Sequence, residues 1–459
     1  MSALKQVYDD HAKTTLFTCA TAIRILAVVL FPALPDLLSQ RAELSTPIDG
    51  FKRLQEGLFL NERGLDPYDG GIFHQAPLLL PLFSLLPSPN AWLGRLISVL
   101  LYTILDLAIA DCLFSIASFG VAHSSSFFIS PRASRAWKPI SVAAVYLLNP
   151  FTILTCLARP TSVFTTFFTV LSISHACQAK PTTAAFALAI AGYASLHPLM
   201  LVPPMGLLCY DRMCSRMSSD TTEAKAKGVA ADQGTTGKVV TNLRAQPGPL
   251  RFGLEFASTF LLATAFLLGL SRLLLPSWKF MPGIYMTLLT LPDLSPNPGL
   301  WWYFFTEMFD AFREFFLGVF WLHMAAYSIP FCLRFRKQPL VAVVLMQGVI
   351  CVFQPYPTAG DAGAWLSCLC LLSHLFELSS THRYTFPALV ALGYASLLGP
   401  AFHHLWIYAG SGNANFFYAI TLVWSLALLI LLTDTVYSAL RDEWKAERPE
   451  GRGKEIRQI

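Results

Sequence analysis

Long apolar runs, separated by short polar or charged segments, follow one another along almost the whole chain. A helix that crosses a bilayer needs about 20 mainly apolar residues. The first run follows Asp9, Asp10 and Lys13, so the pattern predicts a retained first helix rather than a cleaved signal peptide. The uninterrupted runs that predict spanning helices are 15–34, 91–118, 250–275, 300–332, 339–354, 362–378, 384–408 and 416–438.

The stretch 139–210 is equally apolar, but several X-Pro pairs interrupt it. Proline ends or kinks a helix and moves the preceding residue out of the helical region. We therefore predict four shorter spans here, at 139–157, 161–177, 182–196 and 198–210. Together with the uninterrupted runs they give about twelve transmembrane helices, several of them broken or short. The predicted fold is an all-α polytopic membrane protein.

A short amphipathic pattern occupies 48–60, in the first long connection between spans. With a helical period of 3.6 residues, its large apolar side chains fall on one side and its charged ones on the other. This pattern predicts a short helix that lies at the membrane interface. The apolar side consists of Ile48, Phe51, Leu54, Leu58 and Phe59, and the charged side of Lys52, Arg53 and Glu56.

Composition agrees with a membrane protein. Apolar residues make up 54% of the chain, charged residues only 13%, and the mean hydropathy is +0.51. These values exclude a single soluble domain and disorder over most of the length. The net charge is only +5 and no basic block interleaves with aromatics, so we expect no nucleic-acid partner. The ten cysteines form no CxxC pair or Cys/His cluster, so we expect neither a metal nor a cofactor.

Lysine and arginine are distributed unevenly between the two sides of this topology. With both termini in the cytosol, the cytosolic segments carry 23 of them and the lumenal segments only six. The positive-inside rule therefore supports cytosolic termini. If 182–210 formed one span instead, either the basic segment 211–251 or the C-terminal tail would move to the other side.

The same pattern divides the chain into two membrane halves. The first half, 1–210, includes a lumenal loop at 35–76, and the second half covers 250–440. The segment 211–249 is rich in Ser, Thr, Ala, Gly and Lys, which predicts a disordered cytosolic linker. The segment 441–459 is predicted to be a solvated cytosolic tail.

Polar turn motifs gather on the predicted lumenal side. Each alone fits an ordinary turn, but irregular backbone at membrane depth persists only where protein or a water-filled cavity satisfies it. Their shared side therefore predicts a cavity that opens to the lumen. The motifs are 64–71, 73–77, 148–150, 196–198, 291–297, 356–361 and 410–415.

Charged and aromatic side chains inside the spans allow two interpretations each. Glu307, Asp310 and Glu314 share one face of a continuous helix, and Arg313 can pair with Asp310. They indicate a satisfied polar seam between helices or a long helix that emerges from the membrane; a proton relay is the alternative, but the sequence shows no partner pattern for it. The aromatic residues at 301–305 indicate either an interfacial belt or a wall against a lipid substrate.

The chain resembles the PIG-U family, which are subunits of the glycosylphosphatidylinositol (GPI) transamidase. The most specific match is His404 to Ser411 (HLWIYAGS), which continues at 415–420. The linker and the tail depart from the family pattern. The other matching stretches are 53–57, 66–74, 146–154, 291–294, 300–309 and 356–361.

The resemblance implies a non-catalytic, multi-spanning subunit in the endoplasmic reticulum membrane. Such a subunit helps to recognise and present the GPI lipid, while a separate caspase-like subunit supplies the catalytic cysteine. The family is also similar to lipid-linked mannosyltransferases of the GT-C fold, which carry an acidic pair after the first span. Here that place has a single acid, Asp49, which indicates that sugar transfer has been lost while the lipid-facing cavity remains. A dolichol-phosphate-mannose-dependent mannosyltransferase is the alternative function. Asp66 and Asp69 could replace the pair, although turn bonding explains them better.

Amides at the lumenal rim and neighbouring aromatic side chains suit the sugars and acyl chains of a GPI lipid. Asn413 or Asn415 could equally cap the helix that follows. The candidate lipid-binding residues are Asn413, Asn415, Phe416, Phe417, Trp406, His404, Asp361, Trp302 and Tyr303. The residues expected to hold the lumenal turns are Asp66, Tyr68, Asp69, His74 and Asn149.

Overall fold

The computed structural model describes residues 2–87, 91–229, 248–448 and 450, and this part of the chain is helical, without a β-strand. Short 3-10 turns occur at Ala133–Arg135, His197–Leu201 and Cys370–Leu375, and a π-helical turn at Pro282–Met286. The α-helices are α1 (Ser2–Leu30), α2 (Leu34–Leu38), α3 (Phe51–Glu62), α4 (Leu79–Ser84), α5 (Trp92–Ser118), α6 (Pro139–Leu148), α7 (Pro150–Ala158), α8 (Ser162–Cys177), α9 (Pro181–Ala194), α10 (Val202–Val229), α11 (Pro249–Leu274), α12 (Thr287–Thr290), α13 (Trp301–Glu307), α14 (Asp310–Ala326), α15 (Ser328–Arg334), α16 (Pro339–Phe353), α17 (Ala359–Leu369), α18 (Phe376–Ser379), α19 (Thr385–Ile407) and α20 (Ala414–Glu447).

The polytopic architecture is confirmed. Within the described residues, seven helical segments are long and apolar enough to cross a membrane, and an eighth results if α6 and α7 form one broken span. Helices also occupy the remaining predicted stretches, but α8, α9 and α16 are shorter than a full span. The count of twelve therefore stays a prediction.

The break between α6 and α7 lies where the sequence predicts it. The two helices are bent by 53° at Asn149-Pro150. Asn149 is extended, as expected before a proline, and its side-chain Oδ1 accepts a hydrogen bond from Phe151 N at 3.0 Å. Asn149 thus ends one helix and caps the next, as its place among the structural turn residues suggested.

The interior of the bundle is built around α16, which is buried on nearly all sides. A β-carbon on Gly348 would lie only 2.7 Å from atoms of Trp365 in α17 and Leu432 in α20. The Trp365 indole in turn donates to Val344 O at 3.0 Å. Helices α16, α17 and α20 therefore pack closely against one another around Gly348.

A buried ion pair joins the first two long helices. Arg24 of α1 donates from Nη2 to Asp106 Oδ2 of α5 at 2.8 Å, and both side chains are excluded from solvent. Tyr146 OH of α6 donates to the other carboxylate oxygen at 3.0 Å. The charge of Asp106 is therefore satisfied by a partner from another helix.

The predicted span 300–332 is not continuous. Met308 and Phe309 are extended and separate α13 from α14, so Glu307 does not share a helical face with Asp310 and Glu314. Arg313 donates to the backbone oxygen of Leu291 instead of pairing with Asp310. The prediction that Glu307, Asp310 and Glu314 share one helical face is wrong, because the extended backbone at Met308 and Phe309 places them on two helices.

Two helices continue past their predicted ends. Helix α10 runs to Val229, well into the segment predicted as a linker, and the rest of that segment, 230–247, lies outside the described residues. Helix α20 runs to Glu447 and buries Asp442 and Glu443, so the tail is not solvated at its start. These carboxylates are paired, Asp442 with Arg132 at 2.9 Å and Glu443 with Arg334 at 3.0 Å.

The short helix predicted at 48–60 is present as α3. Phe51, Leu54 and Gly57 are its buried positions, as the amphipathic pattern indicated. Phe59 was expected on the same side but is 54% exposed. The guanidinium group of Arg63 lies over the Phe59 ring, with its Cζ 4.6 Å from the ring centroid.

Candidate functional site

The predicted turn motifs do meet at one end of the bundle, here called the turn-rich end and comprising the loops 39–50, 63–78, 291–300, 354–358 and 408–413. Hydrogen bonds link loops that are far apart in sequence. Ala359 N donates to Glu43 O at 2.8 Å, and Gln75 Nε2 donates to Gly50 O at 2.8 Å. Arg41 Nη2 donates to Pro400 O at 3.2 Å. That this end faces the lumen is still a prediction.

An aromatic cluster forms where α13, α19 and α20 meet at the turn-rich end. Trp302 stacks on Trp406 with ring centroids 6.0 Å apart and lies 5.9 Å from Phe417. Tyr303 stacks on Tyr418 at 4.5 Å. Trp302 is only 3% exposed, so it is part of a packed wall and not of a lipid-facing interfacial belt.

The two candidate asparagines have different surroundings. Asn413 is the N-cap of α20, and its Oδ1 accepts a hydrogen bond from Phe416 N at 3.2 Å. Asn415 accepts a hydrogen bond from the hydroxyl of Tyr303. Both side chains are exposed. Capping therefore uses the oxygen of Asn413 and leaves its amide nitrogen directed outward.

The remaining candidate residues in this region differ in burial: some pack into the bundle and others are exposed. Phe417 is 1% exposed and packs inward, whereas Phe416 is 58% exposed and points away from the bundle. His404 is also exposed and stacks on Tyr408 at 5.4 Å. Of the proposed set, Trp302 and Phe417 are thus buried, and the half-buried Trp406 packs against both of them.

Beside this cluster lies an apolar groove of about 300 Å³. Phe417 belongs to both, so the groove continues directly from the aromatic wall. Arg41 and Glu43 are the charged members of its lining and form an ion pair at 3.2 Å. The other lining residues are Leu37, Leu38, Leu44, Phe151, Leu154, Pro298, Ala359, Ala395, Ser396, Gly399, Pro400, Ile420, Thr421 and Trp424.

Small residues of α19 create the space for this groove. A β-carbon on Gly399 would meet only Ile420, at 3.9 Å, so the helix leaves a gap toward α20. Pro400 lies within α19 and lacks an N–H, which leaves the carbonyl of Ser396 without its helical donor. An apolar gap with a polar rim is the shape that a lipid-binding cleft requires.

Asp361 is not near the aromatic cluster. It lies at the start of α17, where it forms a capping box with Thr358. Its carboxylate lines a different, polar cavity together with Asp49. Asp49 Oδ1 accepts hydrogen bonds from Thr46 N at 2.7 Å and Thr46 Oγ1 at 2.5 Å. Burial raises the pKa of the Asp49 carboxyl, and the hydrogen bonds from Thr46 oppose that shift.

The motif at 66–69 is structural in its contacts. Asp66 Oδ1 accepts from Tyr68 N at 3.0 Å, an Asx-type turn, and its Oδ2 accepts from Ser277 Oγ at 2.8 Å. Asp69 forms an ion pair with Lys279. Since both carboxylates hold the loop against 277–283, they are poor candidates for a catalytic pair.

Tyr68 and His74 fix the same loop from its other end. Tyr68 is buried, donates to Gln75 O at 2.5 Å, and packs where a β-carbon on Gly283 would be only 2.6 Å away. His74 Nδ1 lies 2.7 Å from Gly283 O, so this nitrogen carries the proton and donates. These contacts hold the loop 63–78 against the turn at Pro282–Met286.

Several residues of these sites carry no signal in the sequence. Arg41 and Glu43 lie in an ordinary loop, and only folding brings them to Pro400. Gln347 and Gln354 are isolated polar residues in or next to an apolar helix, and both line the cavity with Asp49. A polar side chain within a predicted span was the signal that could have identified Gln347.

Comparison with known proteins identifies the family. Residues 18–424 match the model of a family described as GPI transamidase subunit PIG-U. The human protein named GPI-anchor transamidase component PIGU is 31% identical over 443 residues, which cover 94% of this chain and 95% of the relative. The GPI transamidase component GAB1 of Saccharomyces cerevisiae is 34% identical over 440 residues, with 95% and 96% coverage. Its Schizosaccharomyces pombe homologue is 30% identical over 427 residues, with 92% and 93% coverage.

Proposed function

The chain belongs to the PIG-U family of GPI transamidase subunits, and from that premise we propose that it recognises the GPI lipid and presents it for transfer onto the C-terminus of precursor proteins. Its partners in this proposal are the other subunits, including a caspase-like catalytic chain, and the endoplasmic reticulum membrane. Both termini lie in the cytosol.

The apolar groove beside the aromatic cluster is the observation that carries this role. Its walls are aliphatic and aromatic side chains of α2, α7, α19 and α20. An acyl or alkyl chain in the groove exchanges contact with lipid tails for van der Waals packing against these side chains. Phe417 extends the wall to Trp302 and Trp406, so one continuous surface reaches the turn-rich end.

The rim of the groove suits a phosphate-bearing lipid. Arg41 is at the rim, and its guanidinium bonds to Glu43 and to the carbonyl of Pro400. Guanidinium groups bind phosphate oxygens well, because their planar N–H donors match the oxygen geometry. Asn413 and Asn415 lie at the turn-rich end of α20 and offer amide groups to sugar hydroxyls. Arg41 thus offers a binding group for phosphate, and Asn413 and Asn415 offer binding groups for sugars, near the mouth of the apolar groove.

We infer that the subunit is not itself catalytic. Asp49 is engaged by Thr46 and Asp361 by Thr358, so each carboxylate already has a structural role. The family match favours a transamidase subunit over the mannosyltransferase alternative.

Filling the groove tests the lipid-binding role. Gly399→Leu places a branched side chain in the gap between α19 and α20. Gly393→Leu is the matched control, because it is in the same helix and has no other atom within 4 Å of its β-carbon position. Complexes that contain each variant are purified in mild detergent, and bound GPI is measured by mass spectrometry.

We expect Gly399→Leu to lower bound GPI by roughly tenfold, a loss of about 1.4 kcal/mol, while Gly393→Leu leaves it unchanged. Delivery of a GPI-anchored reporter to the cell surface should fall in parallel. Co-purification of the other subunits shows whether the complex is still assembled. Normal GPI content in an assembled Gly399→Leu complex would disprove binding in this groove.

A further inference from the structure

A second cavity, of about 160 Å³, lies at the turn-rich end, and no residue of its lining belongs to the apolar groove. Its walls come from α8, α16 and α17 and from three of the loops that the sequence analysis singled out. Unlike the groove, it is lined by many polar side chains. They include Asp49, His74, Gln75, Thr161, Ser162, Thr165, Thr166, His197, Gln347, Gln354 and Asp361.

Two amide oxygens in this cavity have no hydrogen-bond partner. Gln75 is 3% exposed, and its Nε2 donates to Gly50 O at 2.8 Å, which leaves Oε1 buried and unpaired. Gln347 Oε1 is likewise buried and unpaired. A buried acceptor without a donor costs about 1–3 kcal/mol, so such groups in a cavity indicate a missing donor.

The histidines of the cavity present further nitrogens. Since His74 donates from Nδ1 to Gly283 O, its neutral ring has a lone pair on Nε2. His197 is 7% exposed and its Nε2 has no partner, while its Nδ1 lies 3.0 Å from Ser195 Oγ. The cavity thus has unpaired acceptors at Gln75 and Gln347 and a further ring nitrogen at His197 that is free to pair with a ligand.

The charged residues that line this cavity, Asp49 and Asp361, are both acidic. Asp49 and Asp361 lie close enough for their carboxylates to repel each other when both are charged. No lysine or arginine is among the lining residues. An anionic ligand would meet two acids without a compensating cation. No three His, Cys, Asp or Glu side chains in the described part of the chain gather in a way that could hold a metal ion.

We propose that this cavity binds a sugar unit that carries hydroxyl or amine donors and no negative charge. Hydroxyl or ammonium hydrogens of the sugar pair with the free oxygens of Gln75 and Gln347 and with the carboxylates. The apolar ring face packs against Trp365, which also lines the cavity. An ammonium group gains additional Coulomb attraction from Asp49 and Asp361, so an amino sugar binds better than a neutral one. The groove and this cavity are separate sites, so a result that disproves lipid binding in the groove does not disprove sugar binding in the cavity, and the reverse also holds.

The test uses the full chain in its purified complex and three sugars with the same ring. Methyl glucoside is neutral, glucosamine carries an ammonium group, and glucuronic acid carries a carboxylate. Binding is measured by saturation-transfer NMR and calorimetry. We expect glucosamine to bind more tightly than methyl glucoside, and glucuronic acid not to bind. Binding of glucuronic acid as tight as that of glucosamine, or binding of none of them, overturns the proposal.

Two glutamines at different positions of α16, Gln347 within it and Gln338 at its N-cap, supply a variant and its control. Gln347→Met removes an unpaired cavity oxygen, and Gln338→Met removes a buried unpaired oxygen that lines no part of the cavity. We expect Gln347→Met to weaken sugar binding between about threefold and tenfold, the range for one hydrogen bond, and Gln338→Met to leave it unchanged. Equal effects of the two variants overturn the assignment. The melting temperature of Gln347→Met should not fall, because no partner is lost.

The acids and the source of the sugar are tested separately. Asp49→Asn should reduce the preference for glucosamine over methyl glucoside, since it removes one charge and keeps an acceptor. Gly399→Leu should leave binding of both sugars intact even where it removes the lipid, which separates this site from the groove. Displacement of soluble glucosamine by GPI in nanodiscs identifies the ligand as a lipid head group. Failure of GPI to displace it identifies a free sugar.

Discussion

Arg24 and Asp106 form an ion pair 2.8 Å long in which the side chains are 0% and 2% exposed. Arg24 also donates to the carbonyls of Ala20 and Leu147. Helices α1, α5 and α6 therefore meet around one satisfied pair of charges. A buried charge without its partner is far more costly than the pair, because desolvation is no longer compensated.

Removing one partner should thus be worse than removing both. We expect Asp106→Leu to lower the free energy of unfolding by about 3–5 kcal/mol, the range for breaking a buried pair. The double variant Arg24→Met with Asp106→Leu should recover most of that loss. Thermal unfolding in detergent measures both. Equal melting temperatures for the single and double variants would mean that the pairing of these charges has no effect on stability.

Stability should depend on pH through Asp49. Its pKa is raised in the folded protein by burial, so the folded state holds this proton more tightly than the unfolded chain does. As pH rises from the ordinary pKa of 3.8 through the raised value, the folded protein loses stability because a buried carboxylate must then be charged. Asp49→Asn should abolish this pH-dependent loss of stability, because an amide does not titrate. We expect the difference in melting temperature between Asp49→Asn and the unchanged protein to grow with pH in that interval and then stay constant. A difference that does not change with pH would contradict this account.

Capping and ligand contact can be separated at Asn413. Asn, Asp and Ser cap helices about equally well, whereas Ala costs about 1 kcal/mol. Asn413→Ser and Asn413→Asp should therefore keep the complex folded, while Asn413→Ala lowers its melting temperature. Only Asn413→Asp should also lower GPI attachment and bound GPI, because its carboxylate repels lipid-linked phosphate. Unchanged attachment in Asn413→Asp would leave this residue with capping as its sole role.

The orientation of the bundle can be read from glycosylation. Acceptor sites inserted at 225 and near 455 should remain unmodified, and one near 62, at the end of α3, should be modified. The reason is that 23 lysines and arginines lie on the side predicted as cytosolic and six on the other. Gel mobility before and after deglycosylation gives the result. Modification at 225 would exclude the predicted topology.

Much of the fold is predictable, because lipid imposes long apolar runs and proline marks their breaks. The bend at Asn149-Pro150 follows from local chemistry alone. The break at Met308 and Phe309 does not, since neither residue is a helix breaker and the extended backbone there depends on tertiary packing. The extension of α20 beyond its apolar run was missed because Asp442 and Glu443 pair with Arg132 and Arg334, which are far away in the sequence.

In the candidate site, too, some features follow from local sequence and others depend on tertiary packing. The sequence places Trp302, Trp406 and Phe417 in one plausible region, because all three are aromatic residues near predicted helix ends, and they do pack together. Asp361, a further candidate, is not part of this cluster. Asp361 instead shares a cavity with Asp49, a proximity between residues far apart in the chain that no local pattern encodes.

Helix α20 is 34 residues long, or about 51 Å at 1.5 Å per residue, whereas the hydrocarbon core of a bilayer is about 30 Å thick. One end starts at Asn413 beside the groove, and the other holds Asp442 and Glu443 in ion pairs with Arg132 and Arg334. Helix α20 therefore connects the apolar groove at the turn-rich end with the ion pairs at the opposite end of the bundle. A shift of this helix along its axis would change the groove and the ion pairs together, so a single helix couples the two ends of the subunit.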